Sequence, residues 1–224
     1  MTDIELVVFD CDGVLVDSER LANQVFAQIL LEECGLKFSL KDMFENFVGR
    51  SMDQCWQLVT DMLGRSAPES LKQRYHHEII AALAESVEPV RNIETVLNGL
   101  SVPFCVASSG SYKKMQTTLG KTGLIKYFEG KLFSTSEVRH GKPHPDIFLF
   151  AANAMGYPPD ECLVIEDSPP GVTGAKAAGM TVLGYAELMN PERLKEAGAD
   201  WVFDDMSKLL NMIEGGLIVS GEGV

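Results

Sequence analysis

Apolar residues in this chain follow two patterns, and each pattern predicts a different kind of element. Short unbroken apolar runs predict strands buried on both faces. Apolar residues that recur every three or four positions predict helices. Strands are predicted at residues 6–9, 104–107, 132–134, 162–165, 181–183 and 201–203, and helices at 93–100, 112–122, 145–155, 171–178 and from about 204 to 213. This alternation is typical of an α/β fold with a parallel, doubly wound sheet and right-handed crossovers.

One long part of the chain shows helical patterns and no convincing strand. Residues 18–33, 52–63 and 71–85 each have helical spacing, and residues 86–90 follow as a return linker. Helices without strands inside an α/β chain predict an inserted cap. We therefore expect a catalytic core of residues 1–17 and 87–214, a cap segment of residues 18–86, and a loosely held, glycine-rich tail of residues 215–224.

Composition narrows the possible partners. With 224 residues and 46% hydrophobic residues, the chain has enough apolar material for a packed core. The net charge of -13 argues against nucleic acid and anionic membrane surfaces as partners. Five cysteines without Cys-x-x-Cys spacing indicate neither a zinc site nor a disulfide framework, so we expect reduced thiols and a cytoplasmic protein. A monomer or a weak homodimer is expected.

The first predicted strand runs directly into a cluster of acids. Asp10 follows residues 6–9 without a break, Asp12 comes two positions later, and Gly13 lets the backbone turn after the pair. Two carboxylates this close are electrostatically unfavourable unless a cation lies between them or one keeps a proton. The pair is typical either of solvated acids in a turn or of a Mg²⁺ site with room for a phosphate.

Further polar residues follow other predicted strands. Ser108 ends the second strand, and Glu166 and Asp167 end the fourth. In doubly wound sheets, ligands bind beyond the carboxyl ends of the strands, so these residues and Asp10 are expected at one rim. We expect Mg²⁺ to be held by Asp10, Asp167 and a backbone carbonyl near Asp12. Glu166 is expected either as a further metal ligand or as a hydrogen-bond acceptor that does not touch the metal.

This rim predicts phosphoryl transfer. Asp10 is ionised at neutral pH and can attack phosphorus to give an aspartyl-phosphate. Asp12 can protonate the leaving alkoxide and later deprotonate the attacking water.

The transferred phosphoryl group also needs donors on the side away from the metal. Ser108, the backbone amides around Ser109 and Gly110, and Lys142 are candidates for this role. Taken alone, a serine in the position of Ser108 is more often a helix cap, and a lysine in the position of Lys142 is more often a solvated loop lysine. Arg50, in a break between helical patterns of the cap segment, is expected either to contact the substrate or to pair with a surface acid.

Four motifs in order resemble the haloacid dehalogenase superfamily, in particular its phosphatases with a helical cap inserted after the first motif. The resemblance covers residues 4–210 and implies a Rossmann-like core, Mg²⁺ dependence and an aspartyl-phosphate intermediate. It implies Asp10 as nucleophile, Asp12 as acid/base, Ser108 and Lys142 as the phosphate-binding pair, and Asp167 as a metal ligand. The motifs are Asp10-x-Asp12-Gly-x-Leu-x-Asp17-Ser18, Ser108 after a strand, Gly141-Lys142-Pro143-x-Pro145 and Glu166-Asp167-Ser168-x-x-Gly171.

Details of these motifs narrow the expected reaction. Dehalogenases of the superfamily lack the second aspartate, which is present here as Asp12, and β-phosphoglucomutases carry a His where this chain has Ala22. Residues 114–116, 127–128 and 131–134 are similar to bacterial sugar-phosphate phosphatases of the 6-phosphogluconate phosphatase type. We therefore expect a phosphatase whose partner is a small phosphorylated metabolite, a sugar or sugar-acid phosphate. A phosphomutase and a non-catalytic phospho-ligand-binding protein remain as alternatives.

Overall fold

A six-stranded parallel sheet forms the centre of the computed structural model, which describes residues 4–50 and 52–214. The strand order is β3-β2-β1-β4-β5-β6, so the direction of winding reverses between β1 and β4. The predicted α/β class with a doubly wound, Rossmann-like sheet is confirmed. The strands are β1 (Leu6–Phe9), β2 (Phe104–Ser108), β3 (Leu132–Ser134), β4 (Cys162–Glu166), β5 (Thr181–Tyr185) and β6 (Trp201–Phe203).

The sheet buries apolar side chains on both faces. Strand β1 shows this most clearly, since Val7 and Phe9 belong to one hydrophobic cluster and Leu6 and Val8 to another, all of them fully buried. The unbroken apolar run that predicted this strand is therefore explained by helices on either side of the sheet.

Ten α-helices lie in the described part of the chain. Two of them were not predicted, the helices at Leu40–Phe47 and Pro191–Glu196, and the predicted helix at 171–178 begins two residues earlier. The helices are α1 (Ser18–Cys34), α2 (Leu40–Phe47), α3 (Met52–Leu63), α4 (Glu69–Ser86), α5 (Ile93–Gly99), α6 (Tyr112–Lys121), α7 (Asp146–Met155), α8 (Pro169–Ala177), α9 (Pro191–Glu196) and α10 (Leu209–Glu214).

Helices α1 to α4 enclose a hydrophobic cluster of their own. Phe26 packs edge-on against Trp56, with ring centroids 4.9 Å apart, and lies 5.0 Å from the Tyr75 ring. Met43 and Val59 are fully buried in the same cluster. The cap segment therefore has an apolar interior distinct from the two clusters that flank the sheet.

The two connections between the cap segment and the sheet run side by side. The amide of Asp17 donates to the carbonyl of Glu88 at 2.9 Å, and the amide of Val90 donates to the carbonyl of Leu15 at 2.9 Å. Val16 and Pro89 form an antiparallel bridge between them. Main-chain hydrogen bonds thus join the entry and exit of the helical segment.

Other expectations concern the surface and the termini. No helix in residues 4–50 and 52–214 has the length and apolar character needed to cross a membrane. All five cysteines are free thiols. The tail expected at residues 215–224 lies outside the described residues.

Candidate active site

Residues from the ends of three strands meet at one cavity. Asp10 follows β1, Ser108 ends β2, and Asp167 follows β4, so the reversal of winding between β1 and β4 brings the two aspartates together. The cavity has a volume of about 630 Å³ and lies between the rim of the sheet and the cap segment. Its lining includes six of the predicted site residues, Asp10, Asp12, Ser108, Ser109, Lys142 and Asp167, together with Arg50 from the cap segment.

A buried lysine joins two carboxylates at the base of the cavity. The Lys142 ammonium donates to Asp10 Oδ1 and Glu166 Oε1, both at 2.5 Å, and to the Ala107 carbonyl at 3.1 Å. Its side chain is 5% exposed, so the alternative of a solvated loop lysine is wrong. Burial alone would lower the pKa of Lys142, but the Asp10 and Glu166 carboxylates outweigh burial and hold the pKa above its usual value.

The acids around Lys142 exceed its charge. Burial raises the pKa of Asp10 to about 7, against the lowering effect of Lys142, and nearby Glu166 and Asp12 raise it further. Burial also raises the pKa of Asp167 well above its usual value, with Glu166 and Asp10 as further causes. Asp10 is buried and Asp167 is half-buried, and both have raised pKa values beside one cation. They form a site that a further positive charge would stabilise.

The same acids provide oxygen ligands for a metal ion. Carboxylate oxygens of Asp10, Glu166 and Asp167 lie within 4.8 Å of one another. Gly13 has a φ of +76°, and a Cβ there would collide with the Asp167 carboxylate, so glycine admits Asp167 to the group. An all-oxygen donor set with excess negative charge fits a hard divalent cation such as Mg²⁺.

Glu166 differs from the other two acids because both of its oxygens already accept hydrogen bonds. Oε1 accepts from Lys142, and Oε2 accepts from the Ser168 amide at 3.0 Å and the Ser168 hydroxyl at 2.9 Å. The side chain is fully buried. Of the two roles expected for Glu166, this arrangement favours that of a hydrogen-bond acceptor that does not touch the metal.

The Asp12 carboxylate is held by one donor on each oxygen. The Ser18 hydroxyl donates to Oδ1 at 2.7 Å, and the Lys114 ammonium donates to Oδ2 at 2.7 Å. Ser18 begins α1 and Lys114 lies in α6, so the cap segment and the core both position this acid. Lys114 was not predicted as a site residue, because helical spacing alone does not show which side chain reaches across to β1.

The loop after β2 contributes Ser108 and Ser109 to the lining of the cavity. Ser108 is 1% exposed, and its hydroxyl accepts a hydrogen bond from the Gly110 amide at 2.9 Å. The Ser134 hydroxyl donates to the Gly110 carbonyl at 2.7 Å, and that of Thr135 donates to the Ser109 carbonyl at 3.2 Å. The helix cap considered for Ser108 is instead made by Ser111, whose hydroxyl accepts from the Lys114 amide at 3.3 Å.

The cap segment contributes the opposite wall. Arg50 lies between α2 and α3, and its Nε donates to the Asn46 carbonyl at 2.7 Å. No acid among the described residues forms an ion pair with Arg50. The alternative that Arg50 pairs with a surface acid is therefore not favoured. Glu19 and Gln54 also line the cavity and were not predicted, since the sequence does not show which side of a helix faces the core.

Comparison with known proteins identifies the family. The family model described as haloacid dehalogenase-like hydrolase matches residues 4–179. The chain is 31% identical over 186 residues to 6-phosphogluconate phosphatase of Escherichia coli, covering 83% of this chain and 84% of that protein. It is 37% identical over 184 residues to a probable pseudouridine-5'-phosphatase of Drosophila melanogaster, covering 79% of each. The chain therefore belongs to the haloacid dehalogenase-like hydrolase family.

Solved structures agree with this assignment. A haloacid dehalogenase-like protein of unknown function from Agrobacterium tumefaciens matches with a TM-score of 0.89 and 34% identity, covering 96% of this chain and 99% of that one. A HAD family hydrolase from Deinococcus radiodurans, with bound phosphate and sodium, matches with a TM-score of 0.86 and 28% identity over 98% of this chain and 99% of that one. The predicted family and enzyme class, a phosphoric monoester hydrolase, are confirmed.

Proposed function

We propose that this protein is a Mg²⁺-dependent phosphatase that hydrolyses a small phosphorylated metabolite, a sugar or sugar-acid phosphate, through an aspartyl-phosphate. One observation carries the proposal: Asp10, Asp12, Ser108, Lys142 and Asp167 line a single cavity at the point where the winding of the sheet reverses. Four separate parts of the chain supply these residues, so their convergence supports a common chemical role.

Asp10 and Asp167 would hold the Mg²⁺ ion through their carboxylates, and Asp12 through its backbone carbonyl. Glu166 lies behind them, between Lys142 and Ser168. When bound, the metal supplies Lewis-acid polarisation of a phosphoryl oxygen and charge that keeps the buried aspartates ionised.

Asp10 is the nucleophile of this reaction. One carboxylate oxygen attacks phosphorus in line, a new oxygen–phosphorus bond forms, and the bond from phosphorus to the substrate oxygen breaks. Lys142 holds Asp10 Oδ1 at 2.5 Å, which restricts rotation of the carboxylate and places a positive charge beside the phosphoryl oxygens. The Ser108 hydroxyl and the amides of the loop after β2 supply the remaining donors.

Asp12 moves the protons. It donates a proton to the leaving alkoxide and later accepts one from the water that attacks the aspartyl-phosphate. Hydrogen bonds from Ser18 and Lys114 orient both of its oxygens. Hydrolysis returns Asp10 to its carboxylate form and releases inorganic phosphate.

The names of the relatives support the substrate class. They include 6-phosphogluconate phosphatase and fructose-1-phosphate phosphatase of Escherichia coli and a phosphorylated carbohydrates phosphatase of Thermotoga maritima. A cavity of about 630 Å³ with Glu19, Arg50 and Gln54 on its cap side offers polar partners for hydroxyl and acidic groups. Ala22 provides no proton acceptor, so hydrolysis is favoured over transfer between two sugar hydroxyls.

Phosphate release from p-nitrophenyl phosphate and from a panel of sugar phosphates tests the proposal. We expect release with Mg²⁺, its loss with a chelator, and its loss in Asp10→Asn. Acid quenching during turnover should trap protein that is heavier by one phosphoryl group. That group should be attached to Asp10. Wild-type protein without activity on the whole panel, or equal release from Asp10→Asn, would falsify the assignment.

A further inference from the structure

The chain after β5 reaches out of the core and contacts the cap segment next to Arg50. We name residues 48–50 the cap loop and residues 186–193 the docking segment. The Arg193 guanidinium donates through Nη1 to the Val48 carbonyl at 2.7 Å and through Nη2 to the Gly49 carbonyl at 3.2 Å. These two carbonyls precede Arg50 directly, so Arg193 holds the main chain from which Arg50 extends.

The cap loop also packs closely against the docking segment. Gly49 has a φ of +70°, and a Cβ there would collide with the end of the Met189 side chain and lie 3.2 Å from Arg193 Nη2. Gly49 and Met189 both line the cavity, whereas Arg193 does not. Arg193 therefore acts on the cavity through the cap loop and not by contact with a bound molecule.

The guanidinium of Arg193 is committed to these carbonyls. Among residues 4–50 and 52–214, neither Arg193 nor Arg50 forms an ion pair with an acid. Burial and the nearby Arg50 charge both lower the pKa of Arg193. Two like charges held near each other without acids between them are unfavourable, and a substrate with anionic or hydroxyl oxygens near Arg50 would offset that cost.

A second contact fixes the docking segment to helix α1. Arg20 donates to Asp17 Oδ2 at 2.7 Å and to Glu187 Oε1 at 2.9 Å, and its guanidinium lies 5.6 Å from the centre of the Phe44 ring. The Tyr185 hydroxyl donates to the other Glu187 oxygen at 2.7 Å. The docking segment is thus joined to the cap segment at Arg20 and at the cap loop, and Arg193 supplies the side-chain hydrogen bonds to the cap loop.

We propose that Arg193 is a positioning residue that fixes the cap loop so that Arg50 reaches into the cavity. The inference rests on the proposed phosphatase function, and it assigns to Arg193 control over affinity for the part of the substrate beyond the phosphoryl group. In the proposed reaction the phosphoryl group would contact Ser108 and Lys142, to which Arg193 makes no hydrogen bond.

Steady-state kinetics of Arg193→Met test this role. The substrates are p-nitrophenyl phosphate and whichever of 6-phosphogluconate, fructose 1-phosphate and pseudouridine 5'-phosphate the wild-type enzyme hydrolyses with the highest kcat/KM. Loss of two charge-assisted hydrogen bonds should raise KM for that metabolite about tenfold or more, and much more than KM for p-nitrophenyl phosphate. Arg193→Lys should recover part of the loss, and Lys195→Met, an exposed residue on the same helix, should behave as wild type.

A double-mutant comparison separates positioning from general damage. If Arg193 acts through Arg50, then Arg50→Met should reproduce the rise in KM, and the combined variant should show no additional loss. Additive losses, or equal losses on the metabolite and on p-nitrophenyl phosphate, would overturn the proposal.

Amide hydrogen exchange tests whether Arg193 fixes the cap loop, and it needs no turnover. In Arg193→Met, a peptide covering residues 44–58 should exchange faster than in wild type, while a peptide covering β4 should be unchanged. Unchanged exchange at the cap loop would refute the proposal that Arg193 fixes this loop. If the wild-type enzyme hydrolyses none of the substrates, the proposed function fails, and the exchange measurement still decides whether Arg193 holds the loop.

Discussion

Lys142 is a buried side chain that pairs with two carboxylates of the candidate active site. It forms ion pairs with both Asp10 and Glu166, and its side chain is almost completely withdrawn from solvent. A buried ion pair contributes little net stability compared with apolar packing, but removing one partner leaves an uncompensated charge. The lysine is therefore needed mainly because the two carboxylates are present, and in the proposed reaction Asp10 is the nucleophile.

Replacement of Lys142 by Met should reduce both activity and stability. We expect kcat for p-nitrophenyl phosphate to fall at least about 100-fold, because a cation beside the phosphoryl oxygens is lost. The free energy of unfolding should fall by about 3 kcal/mol, because Asp10 and Glu166 lose their shared partner. Urea denaturation and kinetics measure the two effects. Adding Glu166→Gln should restore part of the stability and none of the activity; restored activity would show that Lys142 has only a structural role.

Asp12 allows the two halves of the reaction to be separated. In Asp12→Asn, p-nitrophenyl phosphate can still phosphorylate Asp10, because nitrophenolate leaves without a proton, but water then lacks its base. We expect turnover to fall about 100-fold or more and the phosphorylated protein to accumulate. Intact-mass measurement after rapid quenching detects it. Absence of that species, with slow turnover, would place the role of Asp12 in the first half instead.

The site could be predicted from the sequence to the extent that its residues follow strands. Asp10, Ser108 and Asp167 were predicted because apolar runs locate strand ends, and parallel strands bring their ends to one rim. Lys114 and Glu19 were not, because their approach to the cavity depends on how whole helices are oriented. Nothing in local spacing specifies that orientation.

At the scale of elements, helix α2 is the clearest missed prediction, and its signal was present. Ser39 accepts a hydrogen bond from the Asp42 amide at 3.2 Å, and the Asp42 carboxylate accepts one from the Ser39 amide at 2.8 Å, a capping box. Eight residues give only two turns of apolar periodicity, too few to stand out from a loop. Gly35 ends α1 in a left-handed conformation and marks the boundary correctly.

The cap of α2 contributes measurable stability. Ser39→Ala should lower the free energy of unfolding by about 1 kcal/mol, since the orphan amide of Asp42 loses its acceptor. Hydrolysis of p-nitrophenyl phosphate should stay as in wild type, because Ser39 is not among the residues that line the cavity. Denaturation curves measure the first quantity. An unchanged midpoint would mean that packing of Met43 and Phe47 alone holds the helix.

At the scale of the whole molecule, the excess of acid at the site predicts that stability depends on pH and on metal. The pKa of Asp10 rises from 3.8 to about 7 on folding, so between these values the folded chain keeps a proton that the unfolded chain has released. The free energy of unfolding of the metal-free protein should therefore fall as pH rises through this window. In the proposed site Mg²⁺ would bind the ionised carboxylates, so its stabilising effect should grow over the same range.

Denaturation at pH 5 and pH 8, with a chelator and with Mg²⁺, measures this dependence. Asp10→Asn carries no titrating group at this position, so the metal-free variant should lose less stability between the two pH values than wild type. It should also gain less from Mg²⁺. Equal pH dependence in both proteins would show that the raised pKa of Asp10 has no part in it.

The two side-by-side connections between the cap segment and the sheet have a consequence for how enzymes with this arrangement diversify. Because main-chain hydrogen bonds tie residues 15–17 to residues 88–90, the segment begins and ends at one place on the sheet. An exchange of the residues after Ser18 for another insert, joined to the sheet by the same ties, would leave both the route of the chain through the strands and the Ser18 contact to Asp12 intact. Selection could thus vary the cap side of the cavity while the residues proposed for the reaction stay in place.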